Sequence, residues 1–334
     1  MKKLVEVILI ILLCVGCTPN KESVSTKEEI INNIISYDNN YDYDFLNYIY
    51  NNYGINTLEN INTSYKNNTY SYNMWHDLTG NSLKVLKDLS NNNLDNTKII
   101  DKKGDITLSF VGDISLADNF DIMPYYDSRN EGVYGILSKE VVDIMTSSDI
   151  MVANNEFTIS TRGAPLNKTY TFRADPKRLN IYKEMGVNLV SLANNHIYDY
   201  GIEAFNDTLK YLKEYDIPFV GAGHNISEAK KSFSYIVGGY KISFISSTRA
   251  EKNIITPGAT SDSPGVFRCY DNTLLKETIK EEKEKSDYVV LLIHWGKEDS
   301  HELEEVIKVT GKEYIDEGAD LIIGSHAHLL QGME

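Results

Sequence analysis

Five short stretches of this chain place residues of metal-ligand type directly after apolar runs. They are Phe110-Val111-Gly112-Asp113; Ala153-Asn154-Asn155-Glu156; Leu192-Ala193-Asn194-Asn195-His196, followed by Asp199 and Gly201; Ile293-His294-Trp295-Gly296-Lys297-Glu298; and Ile323-Gly324-Ser325-His326-Ala327-His328. Carboxylate, amide and imidazole donors together suit Mn, Fe, Zn or a similar divalent ion rather than calcium alone. Taken singly, each stretch is a weak signal, because an Asp or Asn after a strand is more often a turn residue than a ligand. His326 and His328 carry more weight, since residues two apart on an extended segment face the same side. What argues for one site is the joint occurrence, provided the five stretches end on a common rim, as the carboxyl ends of strands do in an α/β sheet.

The intervening sequence supplies elements of that kind. From Asp105 onward, Ile106, Leu108 and Phe110 alternate before a turn at Gly112, and Asp149–Ala153, Val187–Ala193, Ile242–Ser246, Tyr288–Ile293 and Ala319–Ile323 are further short apolar runs. Between them, Phe205, Leu209 and Leu212 fall on one helical face, as do Leu303, Val306, Ile307 and Thr310. Asp175-Pro176 reads as a helix cap followed by a first-turn proline, and Val237-Gly238-Gly239-Tyr240 as a hairpin. Near-continuous apolar strands predict an α/β fold whose sheet is covered on both faces. Residues 18–104 are rich in Asn and Tyr instead. Helical spacing over Glu28–Ile35 and Ser82–Leu89 predicts a tether with a few helices that dock on the main domain, the alternative being a largely disordered stalk.

The first residues read as a targeting segment. Lys2 and Lys3 precede the apolar run Leu4–Leu13, too short to span a bilayer comfortably, and Cys14-Val15-Gly16-Cys17 resembles a lipobox. A signal peptide over 1–17 and lipidation of Cys17 are therefore expected, with the protein anchored to the cell membrane on its extracellular face. Cys269 then remains alone, so no internal disulfide is expected, and it reads as a small buried hydrophobe. The formal charge of −15 argues against nucleic acid as a partner. It also requires a bound metal or a local basic patch wherever an acidic substrate is to be held. After Leu329-Leu330-Gln331-Gly332-Met333-Glu334 the chain stops as if entering another element, which reads as a truncation.

The order Gly-Asp, Asn-x-Glu, Asn-His, His and His-x-His resembles the motif series of the metallophosphoesterase (calcineurin-like) superfamily. The phrases Leu-Ala-Asn-Asn-His-x-x-Asp-x-Gly, His-Trp-Gly-x-Glu and Gly-Ser-His-Ala-His, from about Asp105 to the chain end, resemble its CapA branch, associated with capsule and poly-γ-glutamate synthesis. The resemblance implies an αββα sandwich over 105–334. It implies that Asp113 binds one metal, that Glu156 sits between two, that Asn195, His294 and His326 hold the second, and that His328 belongs to the first. It makes His196 the acid that protonates a leaving group, with Asp199 orienting it. Two ions ~4 Å apart would activate a water and clamp both oxygens of a displacement. Two departures from the superfamily pattern are visible: Asp113 is followed by Ile114 and Ser115 where Asp-x-His is expected, and Glu156 replaces the bridging aspartate. Both are typical of the CapA branch, and they bear on whether one ion or two is held. Glu298 reads as a further ligand, a base or a binder of a substrate amine, or else as a solvated carboxylate at a helix start. Arg173 reads as a structural salt-bridge partner or as a contact for an acidic substrate.

Three functions are open at this level. One is a surface hydrolase or transferase acting on a phosphoester or an amide-linked polymer. A second is a non-catalytic accessory protein that binds the anionic surface polymer or its precursor beside membrane-embedded capsule synthesis proteins. A lipoprotein that binds a small solute is the third, and the ligand-rich rim argues against it.

Overall fold

Tyr288–His294 reads Tyr-Val-Val-Leu-Leu-Ile-His, with no polar residue between its first position and its last. A strand alternates its side chains between two faces, so such a run is stable only if both faces are covered. The computed structural model, which describes residues 25–251 and 255–334, provides that cover. The expected leader and Cys17 lie outside the described residues, and among those described no helix is long and apolar enough to cross a membrane.

The described chain forms two compact units, one ending at Thr79 and the other running from Gly80 to Glu334. The first contains the helices Lys27–Tyr37, Tyr43–Tyr53, Ile55–Lys66 and Met74–Thr79. Thr26 and Glu29 close a reciprocal capping box at the first of these, with Asp42 capping the second through the Phe45 N–H. Ile30, Ile31, Ile34, Leu46, Ile49, Leu58 and Ile61 are all buried. This stretch is therefore folded rather than a disordered stalk. Its Asn/Tyr-rich run from Tyr37 to Tyr43 is a helix end, a turn and the next helix start.

The second unit takes in more than the compositional break near residue 105 suggests. It begins with the helix Leu83–Ser90, capped by Ser82, and with β1 (Thr97–Ile100), which pairs in parallel with β9. The strands in order are β1, β2 (Leu108–Ile114), β3 (Ile150–Asn155), β4 (Thr158–Ile159), β5 (Arg173–Ala174), β6 (Leu189–Ser191), β7 (Phe219–Val220), β8 (Ala222–Gly223), β9 (Phe233–Val237), β10 (Tyr240–Thr248), β11 (Gly265–Val266), β12 (Tyr288–His294) and β13 (Leu321–Ser325). They build a five-stranded sheet ordered β1-β9-β10-β12-β13 and a four-stranded sheet ordered β2-β3-β6-β7, with β4-β5 and β8-β11 as small two-stranded pairs. Among the described residues, the only antiparallel neighbours in the two larger sheets are β9 and β10. Their two-residue turn sets Gly238 at φ 57° and Gly239 at φ 79°, left-handed at both positions, as a primed hairpin turn requires.

The sheets lie face to face. Ile150, Val152, Leu189 and Val220 of the smaller sheet share one buried cluster with Tyr235, Val237, Ile242, Phe244, Val290 and Leu292 of the larger. The alternate residues of the same strands point outward under helices. Met151 and Ala153 meet Leu179, Tyr182, Phe205 and Leu209, while Val289, Leu291 and Ile293 meet Leu275, Ile279, Ile307 and Tyr314. The architecture is an αββα sandwich, and each fully buried Val, Leu or Ile in it contributes roughly 1.5–3 kcal/mol. Because the strands of each sheet run the same way apart from β1 and β9, the carboxyl ends of the others form a rim. Truncation at the centre of the sheet–sheet layer should cost most. Phe244→Ala is expected to lower unfolding free energy by about 3–5 kcal/mol. Ile144→Ala, at a side chain 64% exposed, should change it by no more than about 0.5 kcal/mol. Denaturant midpoints compare the two, and equal effects would contradict this layer assignment.

Candidate metal centre

The site starts from an irregularity in β2. Val111 pairs with Ala153 but Asp113 pairs with Asn154, so Gly112 is an extra residue, a bulge at the strand end. Asn154 Nδ2 donates to Asp113 Oδ1 at 2.7 Å. The other oxygen, Oδ2, accepts the main-chain N–H of His326 at 3.0 Å and lies 3.2 Å from His328 Nδ1. One carboxylate thus joins the ends of β2 and β3 to the segment that leaves β13.

His294 closes β12 and is buried. Its Nδ1 lies 2.9 Å from Ser325 Oγ, and its Nε2 lies 2.8 Å from Asn195 Oδ1 and 3.3 Å from Glu156 Oε1. Asn195 Oδ1 can only accept, so in this arrangement Nε2 donates to it while Nδ1 accepts from Ser325 Oγ and faces Asn154 Nδ2 at 3.2 Å. An ion at Nε2 needs the other tautomer, with the proton on Nδ1. Two sets of groups have ligand atoms all within 4.8 Å of one another: Glu156, His294 and His326, and Asp113, Glu156 and His328. Glu156 belongs to both. Glu156 Oε1 and His326 Nδ1 are buried without a hydrogen-bond partner. An orphaned buried polar atom costs about 1–3 kcal/mol, and two of them facing a carboxylate–imidazole cage fit a divalent cation.

The two histidines reach this cage by a route that the extended-segment argument did not foresee. His326 has φ 96° and His328 φ 54°, both left-handed. The chain leaves the sheet at Ser325, and the rings end 6.3 Å apart, one in each set. Such backbone is costly for a residue with a Cβ and clusters at functional sites.

Burial and neighbouring charge set the protonation of this cage. Burial acts on Asp113 in the raising direction, but the His328 hydrogen bond, the charge of His294 and the Asn154 and His326 donors outweigh it and hold the carboxyl well below its ordinary range. Burial, helped by the charge of Asp113, pushes Glu156 up to about 8. Desolvation pulls His294 down to about 4, and desolvation with the charge of His294 pulls His326 down to about 3. The hydrogen bond to Asp113 raises His328 to about 9 against its partial burial.

Beside the cage, His196 Nδ1 lies 2.7 Å from Asp199 Oδ2, and Phe172 packs on its ring with centroids 4.7 Å apart. Asp199 is wholly buried. It also accepts from Lys168 Nζ at 2.8 Å and from the Phe172 N–H at 2.8 Å. Lys168 Nζ donates in addition to the Asn195 carbonyl at 2.5 Å, which Thr256 Oγ1 shares at 2.9 Å. The loop carrying Lys168 approaches closely: Gly163 sits at φ 83°, where a Cβ would meet the Tyr200 carbonyl at 2.1 Å.

All six expected ligand positions, Asp113, Glu156, Asn195, His294, His326 and His328, are brought to this rim. Glu298 comes less close, half exposed and 3.8 Å from His326 Nε2. Asn154, Ser325 and Lys168 had no assigned role from sequence. The first two lie inside the motif phrases, whereas nothing in the sequence around Lys168 marks it. Arg173 makes no salt bridge among the described residues; its Nη1 donates to the Arg162 and Gly163 carbonyls at 3.0 and 3.1 Å. His224 pairs with Glu228, His301 with the Leu330 carbonyl, and Cys269 is buried.

Residues 107–334 match the family described as bacterial capsule synthesis protein PGA_cap. The capsule biosynthesis protein CapA of Bacillus anthracis is 29% identical over 237 residues, covering 69% of this chain and 56% of that protein. The PGA biosynthesis protein CapA of Bacillus subtilis (strain 168) is 29% identical over 239 residues, covering 69% and 59%. A probable polyglutamine synthesis accessory protein of Mycobacterium tuberculosis is 26% identical over 192 residues, covering 55% and 50%. The chain therefore spans less than three fifths of the length of these curated relatives.

In the metal-free chain Glu156 and His328 both hold protons at neutral pH, while His294 and His326 do not. Loading an ion must expel the first two protons. Affinity for manganese or zinc should therefore rise as pH increases toward about 9 and fall below about 8, by roughly tenfold per pH unit for each proton released. Chelator competition from pH 6 to 9 reads this slope. A flat profile would show that these two groups are not ligands.

Proposed function

Starting from the fact that this chain belongs to the PGA_cap family of bacterial capsule synthesis proteins, we propose that it acts in the synthesis, export or anchoring of an anionic capsule polymer of the poly-γ-glutamate kind, through a metal-dependent site of hydrolase or transferase type. It would work beside membrane-embedded synthesis proteins, on the outer face of the membrane, anchored through Cys17. The observation that carries the metal reading is the pair of buried, partnerless atoms, Glu156 Oε1 and His326 Nδ1, set among Asp113, His294 and His328.

Asp113, Glu156 and His328 would hold one divalent ion; Glu156, Asn195, His294 and His326 would hold the other. A bound ion supplies Lewis acidity and acidifies water near neutral pH. The chain's own residues do the rest. Asp199 accepts the His196 Nδ1 proton at 2.7 Å and so fixes the ring with Nε2 as the proton-delivering atom. Lys168 locks Asp199 and the Asn195 peptide in place at once, so acid and ligand are positioned together. Phe172 covers one face of the His196 ring and keeps water from it. Glu298, at the exposed edge, offers a carboxylate to a substrate amine.

Metal analysis of the full chain purified without chelator tests this reading. Wild type and His196→Ala should carry one or two transition ions, and His326→Ala should lose them. Turnover of a model phosphoester or of an amide-linked glutamate polymer should fall about 10²–10⁴-fold in His196→Ala with metal retained. A wild-type protein that stays folded yet takes up no manganese, zinc or iron would sink the enzymatic reading and leave a polymer-handling accessory protein.

A further inference from the structure

Among the described residues, the buried side-chain atoms without a hydrogen-bond partner are Asn62 Oδ1, Ser115 Oγ, Glu156 Oε1, Asn206 Oδ1 and His326 Nδ1. Asn62 belongs to the helix Ile55–Lys66 of the first unit, and Asn206 to the helix Gly201–Glu214. The other three follow the carboxyl ends of β2, β3 and β13. Glu156 and His326 are cage members. Ser115 has had no role.

Strand geometry decides which way Ser115 faces. Its neighbours Ile114 and Leu116 both pack in the helix-side cluster that contains Tyr182 and Phe205. Ser115 therefore faces the opposite side, as Asp113 does. The ladder gives its lateral neighbour. Asp113 and Ile114 lie opposite Asn154 and Asn155, and the Glu156 N–H donates to the Ile114 carbonyl at 3.0 Å. The next step of that register sets Ser115 beside Glu156. Facing residues agree along it: Asn154 bonds Asp113 at 2.7 Å, whereas Asn155 turns to the helix side and accepts from the Tyr182 hydroxyl at 2.9 Å. A buried serine hydroxyl ordinarily finds a main-chain carbonyl. Here a partnerless hydroxyl is the ladder neighbour of a partnerless carboxylate oxygen.

We infer that Ser115 Oγ is a further oxygen donor to the ion held by Asp113, Glu156 and His328, and that it makes the two ion positions unequal. The first position then offers two carboxylates, a hydroxyl and one imidazole. The second offers Glu156, the Asn195 amide and two imidazoles, His294 and His326. Oxygen donors suit manganese or magnesium, and imidazole suits zinc; a serine hydroxyl serves the same purpose on the magnesium of phosphate-binding loops. The inference rests on the metal reading of this site and adds an order to it. One equivalent of zinc goes to the second position and leaves the first for manganese.

The full chain, stripped with chelator and given one equivalent of zinc, is titrated with manganese, and the free ion is read by electron paramagnetic resonance. S115A should bind manganese about tenfold more weakly with its zinc retained. Its metal-free unfolding midpoint should stay or rise, because a partnerless buried hydroxyl has been removed. N206A, which removes a partnerless oxygen far from the strand ends in sequence, should bind manganese as wild type does. In S115C a thiolate replaces the hydroxyl, and cadmium should give an ultraviolet thiolate-to-metal band that cadmium-loaded wild type lacks. Wild-type manganese affinity in S115A would overturn the inference and leave the metal reading standing. A lowered metal-free midpoint in S115A would make Ser115 structural and overturn it too, as would equal weakening by N206A or the absence of the band in S115C. If wild type binds neither zinc nor manganese, the metal reading itself falls.

Discussion

The carboxylate of Asp113 is where the two sheets of this fold are tied together at their functional end. It sits on β2 of the smaller sheet, takes a proton donor from Asn154 on the neighbouring strand, and takes the His326 N–H and the His328 ring from the segment beyond β13 of the larger. The apolar layer between the sheets sets their separation, but only along its buried length. Asp113 sets it at the rim, where the layer ends. An ionised carboxylate can accept from both sides at once, and its depressed pKa follows from that arrangement. Every distance in the cage is measured from strands whose mutual position this group fixes.

The rim also binds the chemistry of the two sides into one unit. The Asn195 side chain touches His294, its carbonyl is held by Lys168 and Thr256, and the next residue is His196. A shift of the Asn195 peptide would move a ligand and the acid together. Lys168, Asp199 and Glu251 form a nearly buried ionic cluster. Such a cluster is costly to break one member at a time, which favours a single arrangement over several.

Much of this architecture is legible in the residues themselves. β12 is apolar on every interior position, and β3 is apolar as far as Ala153, because both faces are covered, and that pattern identifies a two-sided sheet without any structure. The paired glycines at 238 and 239 give the one hairpin away, because few other residues take left-handed φ twice running. The ligand rim follows from polar residues at strand ends, and the CapA-type phrases from their order. Other features were not legible. A lysine such as Lys168 is exposed in most loops, and only the return of that loop over Tyr200 buries it. The sequence His326-Ala327-His328 says that two imidazoles are close, but not that the backbone turns left-handed to separate them. Arg173 read as a salt-bridge partner or as a contact for an acidic substrate, because a sequence cannot say which arginine has found its carboxylate. Residues 25–79 resembled a polar tether in composition, yet their isoleucines and leucines recur at helical spacing and bury one another.

The left-handed backbone at His326 and His328 bears on how this protein would respond to selection in the laboratory. Glycine tolerates φ near 96° and 54° far better than histidine does. Replacement of either histidine by glycine would relax the backbone and, at 326, remove a buried imidazole nitrogen that has no partner in the metal-free chain. A screen for heat resistance run in the presence of chelator would reward those changes. The survivors would be the variants that had given up the rim's ability to hold an ion. A library sorted with metal present would keep the histidines, because ligand binding then contributes to folding.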